Sequence, residues 1–177
     1  MLESFTPARF DVSERARAYV AAEGGELVTG SITTAALSGV AATLLDKPGG
    51  FLRNDLFPPG VWLDNMPNWE FGVLVQVRDL SHALREAYSR SQSQSKEDED
   101  LAMAEPLFNF QANSWALPAS ESEYRKAIRH VRAYAGRLSD ADRADAQFYA
   151  RADNLAYWLA TVETRLGSLS QRLSASV

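Results

Sequence analysis

Cysteine is absent from the 177 residues, which removes disulfides, iron–sulfur clusters, thiol nucleophiles and thiolate zinc sites together and says nothing about compartment. Histidine is almost as scarce, with only His82 and His130. Without cysteine or an H-E-x-x-H pair, a zinc or haem site would need mainly carboxylates, so no metal or other cofactor is expected. A basic excess is missing too: 18 Lys and Arg stand against 23 Asp and Glu, a net charge of −5. The electrostatic drive toward phosphate is therefore lacking, and no nucleic-acid partner is expected. No apolar run approaches the roughly 20 residues that cross a bilayer, and residues 1–9 lack the charged-then-apolar pattern of a signal peptide. The segment reads as soluble as given, without membrane insertion. Phosphate-cradling G-x-x-x-x-G-K-[ST] and G-x-G-x-x-G loops and the G-x-S-x-G elbow are also missing, so nucleotide chemistry and a serine triad have no support.

What is present is helical patterning. With 46% hydrophobic residues the chain can bury a core, and its length favours one domain over 1–177. Asp11 with Glu14 forms a capping pair for a helix through Ala22, closed by Gly24-Gly25. A second helix is expected over Ser31 to Asp46, stopped by Pro48-Gly49-Gly50. Lys47 to Asn65, with Pro58-Pro59-Gly60 and two Asn/Asp pairs, reads as a structured loop. Asp64 or Asn65 then caps a long helix with Pro67 in its first turn, and Met66, Val73, Val77, Leu80, Leu84 and Tyr88 form its buried stripe, with His82 just off it as a half-exposed structural imidazole.

Residues 89–100 turn polar and then acidic and are expected to be a flexible connection, the acidic run favouring the start of a short helix. Pro106 and Pro118 bracket a non-helical stretch with Trp115 as its anchor. Ser120 and Glu123 make an S-x-x-E cap for a helix whose basic face, Arg125, Lys126, Arg129 and Arg132, is expected to be solvated and paired with the acidic run. Ser139 with Asp142 is expected to cap the last helix. Its Phe148, Ala152, Leu155, Leu159, Val162, Leu166, Leu169 and Leu173 alternate steps of four and three, a heptad seam. The expected fold is all-α: one bundle of about five helices with a long Pro/Gly-containing loop between helices two and three. The seam is expected to pack antiparallel on the helix from Met66 to Tyr88, and it also suits a second copy, giving a homo-oligomer through Phe148 to Leu173.

Two clusters carry what chemistry there is. Asp55, Asp64 and Glu70 flank the Pro-Gly loop beside Trp62 and Trp69, as a glycan hydrolase arranges an acid, a base and stacking rings. Helix capping, a first-turn acid and core tryptophans account for the same residues. Arg151, Asp153 and Asn154, next to Tyr157 and Trp158, form either a register-fixing network or a small pocket for an anionic ligand, as a sensor domain would need.

The stretches Leu44 to Gly50, Asn54-Asp55, Pro58 to Gly60, Leu63 to Gly72, Ser89 to Ser95, Ala150 to Leu155 and Arg165 to Leu173 together resemble the bacterial domain-of-unknown-function family 2333, from about Asp11 onward. The resemblance implies proteins of the Gram-negative cell envelope, periplasmic and anchored by a segment ahead of the part matched, with further helical sequence behind it. On that reading the chain is a portion of a longer protein. The function expected is a non-catalytic helical interaction or scaffold domain whose partner is another protein or the rest of a longer chain; the alternatives are a carboxylate hydrolase and a ligand sensor.

Overall fold

Asp11 does open the first helix: its Oδ1 accepts the Glu14 backbone N–H at 2.8 Å, and α1 runs over Val12–Ala22. The structure, a computed structural model, describes residues 7–22, 24–56, 65–91, 96–140, 142 and 145–175. Among these, five more α-helices follow, α2 Ser31–Asp46, α3 Asn65–Ala83, α4 Glu99–Phe108, α5 Ser120–Ser139 and α6 Ala152–Ala175, and there is no strand. The all-α bundle expected from the sequence is thus observed, with the short α4 as a full member.

α2 lies antiparallel to α5. Asp46 meets Arg125 at 3.1 Å at one end, and Glu26 N–H reaches Ser139 O at 3.4 Å at the other. Leu37, Leu44, Leu74, Leu84, Leu101, Phe108, Tyr124, Val131 and Tyr134 fill the core between α2, α3, α4 and α5. Tyr124 and Tyr134 are buried aromatics whose hydroxyls donate to Phe110 O and Gln147 O, as buried phenols require. Burial pushes both phenols above their usual pKa.

The expected connection at 89–100 falls partly outside the described residues, at 92–95. Its acidic end is held in place: Asp98 caps α4, accepting the N–H groups of Asp100 and Leu101, and Arg137 bonds both Asp98 and Asp100. His130 reaches Asp100 at 2.9 Å, and Arg85 pairs with Glu97, keeping that carboxyl below its usual pKa through the hydrogen bond. Partners of the acidic run on α5 are therefore Arg137 and His130; of the basic residues named above, Arg125 pairs with Asp46, Lys126 with Glu123, and Arg132 with the Tyr19 hydroxyl.

Three local expectations are corrected. Pro106 lies inside the last turn of α4, which ends at Phe108, so the non-helical stretch begins only at Asn109. Trp115 is 62% exposed and anchors nothing. Ser120 is the first residue of α5, not its cap: fully buried, it donates to Gln111 O at 2.7 Å and accepts Ser114 N–H at 3.2 Å, closing the 111–119 loop. Ser120→Ala leaves both loop groups without that partner, and denaturant unfolding is expected to show a loss of about 1–3 kcal/mol; a loss below about 0.5 would mean the loop is closed by other contacts.

The last helix also begins later than the Ser139/Asp142 pattern suggests. Ser139 ends α5, its hydroxyl bonding back to Gly136 O, and α6 starts at Ala152. Phe148 thus belongs to the preceding connection, where its ring stacks on Tyr88 with centroids 4.9 Å apart.

Candidate functional site

Of the carboxylate cluster, Asp64 and Trp62 lie outside the described residues. Asp55 is exposed, while Glu70 has no exposed surface at all. The position of Glu70 in the first turns of α3 turns its carboxylate onto the backbone of the α2–α3 loop. It accepts Leu52 N–H at 2.9 Å and Arg53 N–H at 2.8 Å, and it pairs with the Lys47 ammonium, itself fully buried. Lys47 also donates to Leu44 O at 3.2 Å and to Gly50 O. A buried charge survives only when paired and hydrogen-bonded, and both conditions are met here. Arg53 extends the clamp, donating to Pro67 O at 3.1 Å and lying over the Phe71 ring; Asn54 ties the loop to Ser114 O and Glu121 at 2.8 Å each. Trp69 remains 39% exposed on the outer side of α3. Asp55 and Glu70 therefore face different environments, and the Glu70 oxygens are occupied by structural donors. Sequence reasoning did not single out Lys47, because a pair 23 positions apart leaves no local spacing to read.

The second cluster divides. Asp153 is exposed, whereas Asn154 is buried and donates to Ala87 O and Tyr149 O at 2.8 Å each. α3 ends in a π turn, Leu84–Tyr88, and the last carbonyls of a helix need outside donors. The segment leading into α6 supplies two of them, Asn154 serving Ala87 O and Tyr149 N–H serving Tyr88 O at 2.7 Å, and just past the turn Arg151 reaches Arg90 O at 3.4 Å. The Arg151 guanidinium lies over Tyr149. Asn154 and Arg151 thus set where α6 leaves the bundle.

From there α6 runs antiparallel to α3, as expected: Asn154 bonds Ala87 O at one end and Arg165 bonds Asp79 at the other, while between them Trp158 packs against the core and Thr161 lines the groove beside α3. Arg165 forms a two-pronged pair with Asp79, Nη2 to Oδ1 at 2.6 Å, and that hydrogen bond raises the guanidinium pKa. Between these helices and α4 lies a groove of about 340 Å³ lined by Arg78, Asp79, His82, Glu105, Tyr157 and Arg165. Its charged groups already have partners: His82 meets Glu105 at 2.9 Å, and Arg78 donates to the backbone carbonyls Phe108 O and Phe110 O at 2.8 Å each. Among the described residues no three His, Asp or Glu side chains converge where a metal ion would fit.

The heptad seam is not the face that docks. At about 100° per residue, the docked line Asn154–Trp158–Thr161–Arg165 lies about 90° around α6 from the line Leu155–Leu159–Val162–Leu166–Leu169–Leu173. The five leucines of that line are 46–69% exposed, and from Glu163 to Ala175 every residue is exposed. Helices in proteins owe most of their stability to packing of an apolar face, and contiguous exposed apolar surface marks an interaction site.

The fold and site together define a small all-helical domain with an outward-facing leucine stripe on its last helix; no described helix is long and apolar enough to cross a membrane. The family model for an uncharacterized protein conserved in bacteria, domain-of-unknown-function family 2333, matches residues 1–177, and the chain belongs to that family. No curated protein and no solved structure matches it.

Proposed function

We propose that this domain is a non-catalytic helical interaction module that binds another protein segment along the leucine line of α6. The exposure of that line carries the reading. Covering leucines that are 46–69% exposed recovers about half of the roughly 1.5–3 kcal/mol that full burial of each is worth. Summed over five, that rivals the cost of association, estimated at about 4–15 kcal/mol. The occupation of Glu70 by Lys47 and the loop amides supports a structural role for the residue on which a carboxylate hydrolase would most depend. An envelope location belongs to the same proposal and rests on the resemblance alone; fractionation of the bacterium, with the domain found among cytoplasmic proteins, would remove it.

A photo-crosslinking amino acid placed at Leu166 or Leu169 in the native bacterium is expected to yield covalent adducts, while the same group at Thr164 or Gln171, on the far side of α6, yields none. Equal yields at all four positions, or none at any, would remove the leucine line as a docking face.

A further inference from the structure

We infer a second interaction surface, on α1 and α5 and distinct from the leucine line of α6, that takes an acidic helical segment of another protein. A row of guanidinium groups along α5 meets the carboxylates of that segment, and a groove at the end of the row takes one of its apolar side chains. At 100° per residue, Arg125, Arg129, Arg132 and Gly136 fall within about 60° of one another around α5, in a row about 16 Å long. All three arginines are exposed.

The cations of the row outnumber the acids that meet them. Arg125 pairs with Asp46 at 3.1 Å, but both side chains are more than half exposed, and such a pair is held loosely. Arg132 lies over the Tyr19 ring, 4.9 Å from its centroid, and donates to its hydroxyl at 3.1 Å. Neither contact neutralises its charge. Arg129, between the two, meets no carboxylate, carbonyl or ring among the described residues. Glu97, Asp98 and Asp100, which the sequence offers as counter-charges, are taken up by Arg85, Arg137 and His130 instead.

The groove supplies the other half of the site. Tyr19, Val20 and Ala22 of α1 and Arg132, Ala135 and Gly136 of α5 line a space of about 210 Å³ at the end of the row. Val20 and Ala135 are buried, and Arg132 is the one charged group of that lining. The space exceeds the roughly 150 Å³ that accepts a benzene ring, so a leucine or phenylalanine side chain fits.

Charge and spacing together select the occupant. A helix with carboxylates at steps of four and three carries them on one face, as α5 carries its arginines, and an apolar residue one turn on then reaches the groove. An extended anionic surface, whether nucleic acid or membrane, meets the net charge of −5 of the whole chain. A short acidic segment meets mainly the row, since screening confines the attraction to about 8 Å at physiological salt.

The probe is a fluorescent helical peptide with glutamates spaced four and three residues apart and a leucine four residues further on. Its anisotropy with the whole chain is expected to show saturable binding that weakens as salt rises. Arg129→Glu lowers the affinity at least tenfold with unchanged circular dichroism and melting, because Arg129 holds nothing in the fold. Serine in place of the peptide leucine also lowers it, by roughly tenfold, the worth of one buried leucine. Equal binding by a scrambled peptide of the same composition, or by Arg129→Glu, would reduce the attraction to unspecific charge and overturn the inference. An effect of Arg129→Glu with none from the leucine removes the groove and with it the two-part site. If the peptide does not bind, the protein segment is wrong; vesicles of anionic phospholipid that bind the parent and not Arg129→Glu would then make the occupant a membrane surface.

Discussion

Glu70→Ala is expected to cost about 3–5 kcal/mol of folding stability, the penalty of leaving one partner of a buried ion pair uncompensated. The loss is of that size because three donors lose their acceptor together: the Lys47 ammonium and the Leu52 and Arg53 amides. Against a total of about 5–15 kcal/mol for an ordinary domain, the variant sits near its unfolding threshold, and a urea titration will show a lower midpoint. Lys47→Met with Glu70→Gln is expected to be less damaging than the sum of the single changes, since removing both charges abolishes the desolvation penalty. Additive losses, or a loss below about 1 kcal/mol for Glu70→Ala, would mean that water reaches the pair and that the clamp is not closed in solution.

The second large effect is expected at Gly30. It precedes α2 with φ of 100°, a conformation costly to any residue with a Cβ, by about 1–2 kcal/mol. An added Cβ would also fall 2.6 Å from Cδ2 and 2.8 Å from Cβ of Phe148, and overpacking of this kind costs about 1–3 kcal/mol more. For a chain of this size, each kcal/mol lowers Tm by about 2–4 °C, so Gly30→Ala should melt roughly 5–15 °C below the parent. Gly72→Ala is the control: it lies within α3 with open space around the position of its Cβ, and it should raise stability by about 0.5–1 kcal/mol. A Gly30→Ala protein that melts with the parent would show that Phe148 yields and that the α2 start relaxes.

Helices were legible in the sequence wherever their stops are covalent. α2 ends as expected because Pro48 and two glycines follow it, and α3 begins at Asn65, with Pro67 in its first turn, for the same local reasons. Local pattern misled where a polar side chain had a distant use. Ser120 has the spacing of a cap but closes a loop, and Glu70 reads as a first-turn acid but meets a lysine from another helix end. The heptad steps continue back to Phe148 because spacing cannot register that the backbone there is not helical, with Phe148 filling the space between Tyr88 and Gly30. The leucine line itself was plain in the sequence. Its direction was not, because which of two neighbouring faces docks depends on Asp79 and Ala87, residues of another helix.

Arg165 ties α6 to Asp79, and the exposed residues that follow it include Arg172. Fraying of such a segment needs little energy, so a trypsin-like protease is expected to cut after Arg172 without unfolding the body. If the leucine face is covered as proposed, that bond is shielded. On that proposal, the rate at which the final turn is clipped would report how much of the protein is assembled, and the unassembled fraction would have the shorter lifetime.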